Sequence, residues 1–333
     1  MVAMNCGDPT IDGLLAEEGS IPNLTAGANC RAVGHLQDLL RGHGYSPLPD
    51  ARISWYGTYG LSTSRAVVEY RRRNGLAIGD SADSSLLKDL VQRPAPDAVL
   101  SPAYVPLVLN IPFTSITRLV WLTSLFETGG AFGTLNLNTD QCGLSFGILQ
   151  WSQKPGQLHK LLLACQTQEP AEWARIIGDT RILDHTAKPN GGVDTSGNSV
   201  DAAFELTKDP WKSRLIALGA SPAMQHVQVD VASDAYLNEL TTIAVSAPRI
   251  RSERGRAFLL DLANQFGPGR IAQHYKSAAR PGATEPEILK QLEASFTNLA
   301  RPQFRSQVRA RREFFRTTPL LSDDTLTIPA NRS

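Results

Sequence analysis

The sequence predicts a mainly α chain, with a small three-helix domain followed by a larger helical domain that one small β-hairpin interrupts. Three observations lead to this. Apolar residues recur at helical spacing along most of the chain, in segments whose breaks carry Gly or Pro. One stretch leaves that rhythm: Gly129, Gly130, Gly133, Gly143 and Gly147 stand among Asn136, Asn138, Thr139 and Asp140, while Leu135, Leu144, Phe146 and Ile148 alternate as in a hairpin. Finally, Pro94, Pro96, Pro102, Pro106 and Pro112 forbid a continuous helix and divide the two helical groups.

Taken in order, residues 1–28 show little periodicity and read as an N-terminal tail, either loose or packed on the first domain (29–92). Val33, Leu36 and Leu40 share one helical face, which Gly42-His43-Gly44-Tyr45 ends. A second helix starts near Thr63, a natural N-cap, with Ala66, Val67 and Tyr70 inward and Glu69, Arg71, Arg72 and Arg73 outward. A third begins at 81–83 and carries Leu86, Leu87 and Leu90. Residues 93–112 form a proline-rich linker, or a strap on the second domain (113–318). Ser115 caps a helix over 115–126 with apolar Ile116, Leu119, Val120, Leu122, Leu125 and Phe126, and Gly129-Gly130 stops it. Glu127 therefore falls in the last turn.

Beyond the hairpin, helices are expected over 157–165, 170–178, 209–219, 222–247, 248–266, 285–299 and 303–315, then a C-terminal tail over 319–333. The glycines of Asn190-Gly191-Gly192 and Ser196-Gly197-Asn198 make 185–200 a flexible loop placed to overhang a cleft.

Composition narrows the function classes. With 333 residues, 42% hydrophobic and 20% charged, the chain has material for two cores and no sign of long disorder. A net charge of +1 argues against a general polyanion binder. Arg301, Arg305, Arg309, Arg311, Arg312 and Arg316 do cluster in one helical run, as a solvated face or an attraction to an anionic wall. No nucleic-acid motif accompanies them, so no nucleic-acid partner is expected. No apolar run reaches about 18 residues, so no membrane span is expected, and no secretory leader follows Met1.

Cys6, Cys30, Cys142 and Cys165 lack zinc-site spacing, and no metal or cofactor is expected. Bridges Cys6–Cys30 and Cys142–Cys165, or four free thiols, are both compatible with the count. A nucleophilic Cys142 served by His159, His185, His226 or His274 is a further alternative, without a supporting motif.

The chemistry centres on Glu127. The negative end of the helix dipole and an apolar wall both disfavour an ionised carboxyl group, which is the condition of a proton donor. Phe126-Glu127-Thr128, with the hairpin after it, resembles the lysozyme-like superfamily, and Gly147-Ile148-Leu149-Gln150 is similar to the Gly-Leu-Met-Gln element of lytic transglycosylases and goose-type lysozymes. The resemblance implies a muramidase that cleaves the β-1,4 bond between N-acetylmuramic acid and N-acetylglucosamine, with Glu127 as general acid.

Asp140 is the sole carboxylate between Glu127 and Trp151. It is either the base that activates water across a gap of about 6.5–9.5 Å, or a turn residue. In the second case Glu127 acts alone, as in a lytic transglycosylase that leaves a 1,6-anhydro product. Thr128, Thr139, Ser145, Gln150, Trp151 and Gln225 are the candidate sugar contacts. Asp261, with Asn264 or Gln265, either touches the cleft or fixes packing.

Upstream, Leu36-Gln37, Leu40, Gly44-Tyr45, Gly57, Gly60, Thr63, Ala66-Val67, Tyr70 and Asn74-Gly75-Leu76 stand in the order of the peptidoglycan-binding domain, which this region resembles. Arg71 departs from that family's usual Gln, and Gly79-Asp80 inverts its Asp-Gly turn. Trp55, Tyr56 and Tyr59 either stack on sugar or complete the core. The resemblance implies glycan strands of peptidoglycan as partner and the bacterial wall as place of action. The route there is a trimmed signal, release as a phage endolysin, or delivery as an effector, for which an immunity protein is a further partner. The helical domain also resembles bacterial chitosanases, which makes chitosan the alternative polymer. A non-catalytic wall-binding or phage structural protein is the competing class.

Overall fold

The computed structural model describes residues 5–47, 56–93 and 95–328. It is mainly helical with one small antiparallel sheet, as the sequence predicts. The chain divides into two compact units, Met1–Val231 and Ala232–Ser333, so the boundaries drawn from sequence at 92 and 112 fall inside the first.

In the first unit, α1 (Pro9–Leu15) starts where the Asp8 carboxylate accepts the Thr10 and Ile11 amides at 3.0 and 3.2 Å. The part of the expected tail that follows residue 4 is thus packed structure, tied on by the Leu24–Ala82 bridge. The three expected helices are α2 (Arg31–Gly42), α3 (Leu61–Asn74) and α4 (Ser84–Gln92). Val33, Leu36, Leu40, Val67, Tyr70, Leu86, Leu87 and Leu90 form their core.

Two details differ from the sequence reading. Thr63 lies inside α3, accepting from Gln37 at 3.0 Å, and Gly60 holds the cap position. Arg71 is buried rather than outward, because it donates to the carbonyls of Ala77 and Ser81 and pairs with Asp83 at 2.8 Å. Those partners close the turn after α3.

Helix α2 is buried nearly all round, from Ala32 to Leu40. One face meets α1, α3 and α4; another meets α5 (Tyr104–Leu107), a short turn within the expected linker. The stretch before α5 is a strap. Asp97 donates to Gly42 at the end of α2 at 3.0 Å, and Val99 forms a bridge with Ala131.

Helix α6 (Ser115–Thr128) begins where the sequence places it, but its cap lies one residue earlier, since Thr114 rather than Ser115 accepts the Thr117 amide at 3.2 Å. It ends on Gly129 at φ +64, a left-handed cap. The hairpin is the first part of a three-stranded sheet: β1 (Leu135–Leu137), β2 (Leu144–Phe146) and an extra short strand β3 (Trp151–Ser152), in that spatial order. Leu135 pairs with Phe146, and Phe146 with Trp151. Helices α7 (Gln157–Gln168), α8 (Pro170–Ile176), α9 (Arg181–Thr186) and α10 (Trp211–Ala220) follow, then α11 (Pro222–Ser246), along which the first unit ends.

The second unit holds α12 (Glu253–Phe266), α13 (Pro268–Ala278), α14 (Glu285–Leu299) and α15 (Arg305–Thr317). Helix α12 starts later than the sequence suggests, because Ser252 accepts the Gly255 amide at 2.9 Å and is itself fixed by Glu285. Asp261 is fully buried and ion-paired with Arg311 and Arg312, which assigns it to packing. The expected C-terminal tail is pinned as far as Leu326: Arg254 donates to the Thr318 and Leu321 carbonyls at 2.7 Å, and the Leu326 amide donates to the Arg251 carbonyl at 2.9 Å. Among the described residues no helix is long and apolar enough to cross a membrane. All four cysteines are free, the second of the two alternatives the sequence left open.

Candidate active site

Three elements meet around the end of α6. Glu127 is half-buried in its last turn, and the next residue, Thr128, has its hydroxyl 3.3 Å from the Ser124 carbonyl and 3.4 Å from that of Ile148. The helix end is thereby joined to the turn between β2 and β3. That turn needs glycine: Gly147 has φ +80, and a Cβ there would lie 2.5 Å from Gln228 Oε1 and 2.9 Å from the Trp151 ring. Gln228, fully buried on α11, accepts the Ile148 amide and donates to the Phe132 carbonyl, both at 3.2 Å. A fourth contact reaches the helix end from α2, where Arg41 Nη2 donates to the Gly129 carbonyl at 2.8 Å.

The other sequence-selected residues occupy distinct layers. Gln150 is half-buried and donates to the carbonyls of Thr134 and Gly147, each at 3.2 Å; Trp151 is buried beside it. Ser145 is buried and its hydroxyl meets that of Ser152 at 2.9 Å. Thr139 and Asp140 sit exposed at the tip of the β1–β2 turn, where Thr139 bonds Asn136 and the Asp140 carboxylate accepts the Cys142 amide at 3.1 Å. This is the Asx-turn arrangement. Gln225 is fully buried, accepting from Tyr104 and donating to the Gly219 carbonyl at 2.7 Å, so its amide is engaged inside the fold.

The expected overhanging loop is bolted to the sheet. Asn138 donates to Ser196, Lys154 to Thr195 and Gln153 to Gly191, at 3.0, 3.0 and 2.8 Å. Gly191 has no room for a side chain, since a Cβ would come 2.1 Å from the Gln153 carbonyl oxygen. The loop brings Asp194 to the same end of the sheet as Asp140. Its carboxylate likewise closes a local turn, accepting from Ser196 and Asn198. Sequence reading did not single out Asp194, because the polar bolts join residues about 50 positions apart; nor did it reach Arg41 or Gln228.

In the helical module, Tyr59 is buried and donates to the Asp80 carbonyl at 2.5 Å, while Tyr56 packs over Gly34 and donates to Asp38 at 2.7 Å. Both rings are thus core members. Trp55 lies outside the described residues. Cys142 is no activated nucleophile: burial, then the Asp140 charge, push its thiol up, and no hydrogen bond among the described residues joins it to His159, His185, His226 or His274. Among the described residues no group of three or more His, Cys, Asp or Glu is arranged to hold a metal ion.

No family model matches the chain, and no curated protein matches it. Among solved structures it is similar to the native chitosanase from Bacillus subtilis MY002 and to a mutant of that enzyme complexed with 6 GlcN. Identity is 17% in each case, with 60% of this chain and 86% of the other covered at a TM-score of 0.44.

Proposed function

We propose that the chain cleaves the glycan of bacterial peptidoglycan, as a muramidase or a lytic transglycosylase, with Glu127 protonating the leaving oxygen of the β-1,4 bond between N-acetylmuramic acid and N-acetylglucosamine. The observation that carries this reading is the joint at the end of α6: a half-buried glutamate in the last helical turn, fixed by its neighbour's hydroxyl to the turn of an antiparallel sheet. A carboxyl held there stands on a helix end that the sheet turn braces, and proton donation to a leaving glycosidic oxygen needs such positioning. The helical module, in the order of motifs it shares with peptidoglycan-binding domains, favours peptidoglycan over chitosan as the polymer.

Two completions of the reaction differ in Asp140. In the muramidase version it activates water. Hydrolysis with inversion needs that carboxylate about 6.5–9.5 Å from Glu127, which leaves room for the water. In the transglycosylase version the C6 hydroxyl of the substrate takes that place. The engagement of Asp140 in its own turn favours this second reading.

The test is turnover of purified sacculi, and of chitosan in parallel, by the parent and Glu127→Gln. Loss of about 10²–10⁴-fold is expected for the variant. Equal lysis by the two would remove Glu127 from its role, and a parent that binds sacculi without releasing fragments would make the chain a wall-binding protein. Anhydro ends on the products identify the transglycosylase and reducing ends the muramidase.

A further inference from the structure

The helical module does more than border the candidate site. Helix α2 is buried on the face turned to α5 as well as on the face turned to its own module, and a detachable three-helix anchor would leave the former open to water. Three connections run from it toward Glu127. Gly42 accepts the Asp97 amide at the start of the strap; the strap then pairs with the segment after α6, through Leu100 N to Gly130 O at 2.8 Å and Phe132 N to Ala98 O at 3.1 Å. Tyr56, held by Asp38 of α2, lies 6.3 Å between ring centroids from Trp121 of α6. Arg41 is the direct link. Its Nη2 donates to the Gly129 carbonyl, two residues beyond Glu127, while Nη1 stands 3.7 Å from the buried Asp38 carboxylate.

We propose that Arg41 is a positioning residue for Glu127, and that the module around α2 is part of the catalytic unit rather than a separable tether. This rests on the reading of Glu127 as the acid. The guanidinium fixes the left-handed residue that ends α6 through its hydrogen bond to the Gly129 carbonyl. Its two-pronged grip, on Asp38 and on Gly129, is one that a lysine cannot reproduce at both ends. A tether would act only on polymer capture, whereas a positioning residue acts on turnover of any substrate that reaches the acid.

The experiment uses the full chain and short soluble oligosaccharides of alternating N-acetylglucosamine and N-acetylmuramic acid, for which capture by a wall anchor is irrelevant. Parent, Glu127→Gln, Arg41→Met and Arg41→Lys are compared in kcat, KM and melting midpoint. For Arg41→Met, kcat is expected to fall at least about tenfold with KM within about twofold, since small misplacements of a catalytic group cost that much or more. Arg41→Lys should lie between it and the parent. An Arg41→Met variant with parental kcat, alongside a dead Glu127→Gln, overturns the positioning role and leaves the acid assignment standing. A Glu127→Gln variant with parental kcat removes both. If Arg41→Met loses its helical circular dichroism signal, Arg41→Lys decides: a loss of about threefold or more in kcat at unchanged KM supports the role, and parental kcat refutes it.

Discussion

Gln228 accepts the amide of Ile148 at 3.2 Å with an oxygen that no water reaches, and the other end of the same side chain holds the Phe132 carbonyl. A single amide thus ties the β2–β3 turn to the segment that leaves α6. Replacing it with an apolar residue of similar size strands a buried N–H and a buried C=O. Gln228→Leu is expected to destabilise the first unit by about 2–6 kcal/mol, from roughly 1–3 kcal/mol for each orphaned group. Urea unfolding followed by tryptophan fluorescence measures it, and a parental midpoint would mean that the turn is held by other contacts.

Asp140→Asn separates the two completions of the reaction. With its carboxylate accepting the Cys142 amide, asparagine can keep the turn through its side-chain oxygen. Near-parental turnover with anhydro products is expected if the substrate's hydroxyl attacks. A loss of about 10²-fold or more with reducing products would instead make Asp140 the base.

Acid should weaken the first unit through His35. This ring is fully buried, neither nitrogen has a hydrogen-bond partner, and burial first, then the Arg31 charge, push its pKa down to about 4 from 6.5. Between those values the unfolded chain binds the proton and the folded one does not, so stability falls as pH drops from 6.5 toward 4. Asp38, whose carboxyl burial pushes up to about 7, tilts stability the opposite way and is unaffected by a change at 35. His35→Leu should therefore lose less of its melting midpoint than the parent between pH 7 and 4.5. Equal losses would place the acid sensitivity elsewhere.

The buried carboxylate of Asp261 serves two arginines, Arg311 and the fully buried Arg312. Removing it leaves a guanidinium in the interior without its counter-charge. Asp261→Ala should cost the second unit about 3–5 kcal/mol, whereas Lys290→Ala, at an exposed position on α14, should cost little. Calorimetry on both variants checks the contrast, and equal midpoints would refute it.

Thiol labelling should be ordered by exposure. Cys30 is exposed, Cys142 half-buried, and Cys6 and Cys165 are buried with thiols pushed up to about 12. Maleimide should therefore modify Cys30 first, Cys142 slowly, and Cys6 and Cys165 only in denaturant. Fewer than four reactive thiols in denaturant without reductant would indicate a bridge.

The helical frame was legible because it rests on local signals. Apolar spacing marked α2 to α4, α6, α7, α10, α11, α14 and α15 to within a few residues, and glycine marked where α6 stops. The short helices α1, α5 and α9 carry too few turns to show a period and passed unnoticed, as did the longer α13 behind the break at Gly267-Pro268-Gly269. Glu127 could be singled out as a candidate because a helix end and a polar excursion are adjacent in the chain. Arg41, Gln228 and the loop bolts could not, since each contact joins residues far apart in sequence through side chains that look like ordinary surface polar groups. Arg71 misled for the same reason: its carbonyl partners at Ala77 and Ser81 exist only once the turn after α3 has closed.

The bridge between Val99 and Ala131 has a practical meaning for recombination. A proline-rich stretch invites a cut, and shuffling experiments commonly join modules at such places. Here a crossover between residues 93 and 112 would hand one parent the strap and the other the backbone it pairs with. Chimaeras that exchange the front of this chain for another domain should therefore retain function only when the junction falls before α2 is disturbed, or when α2, the strap and the end of α6 travel together.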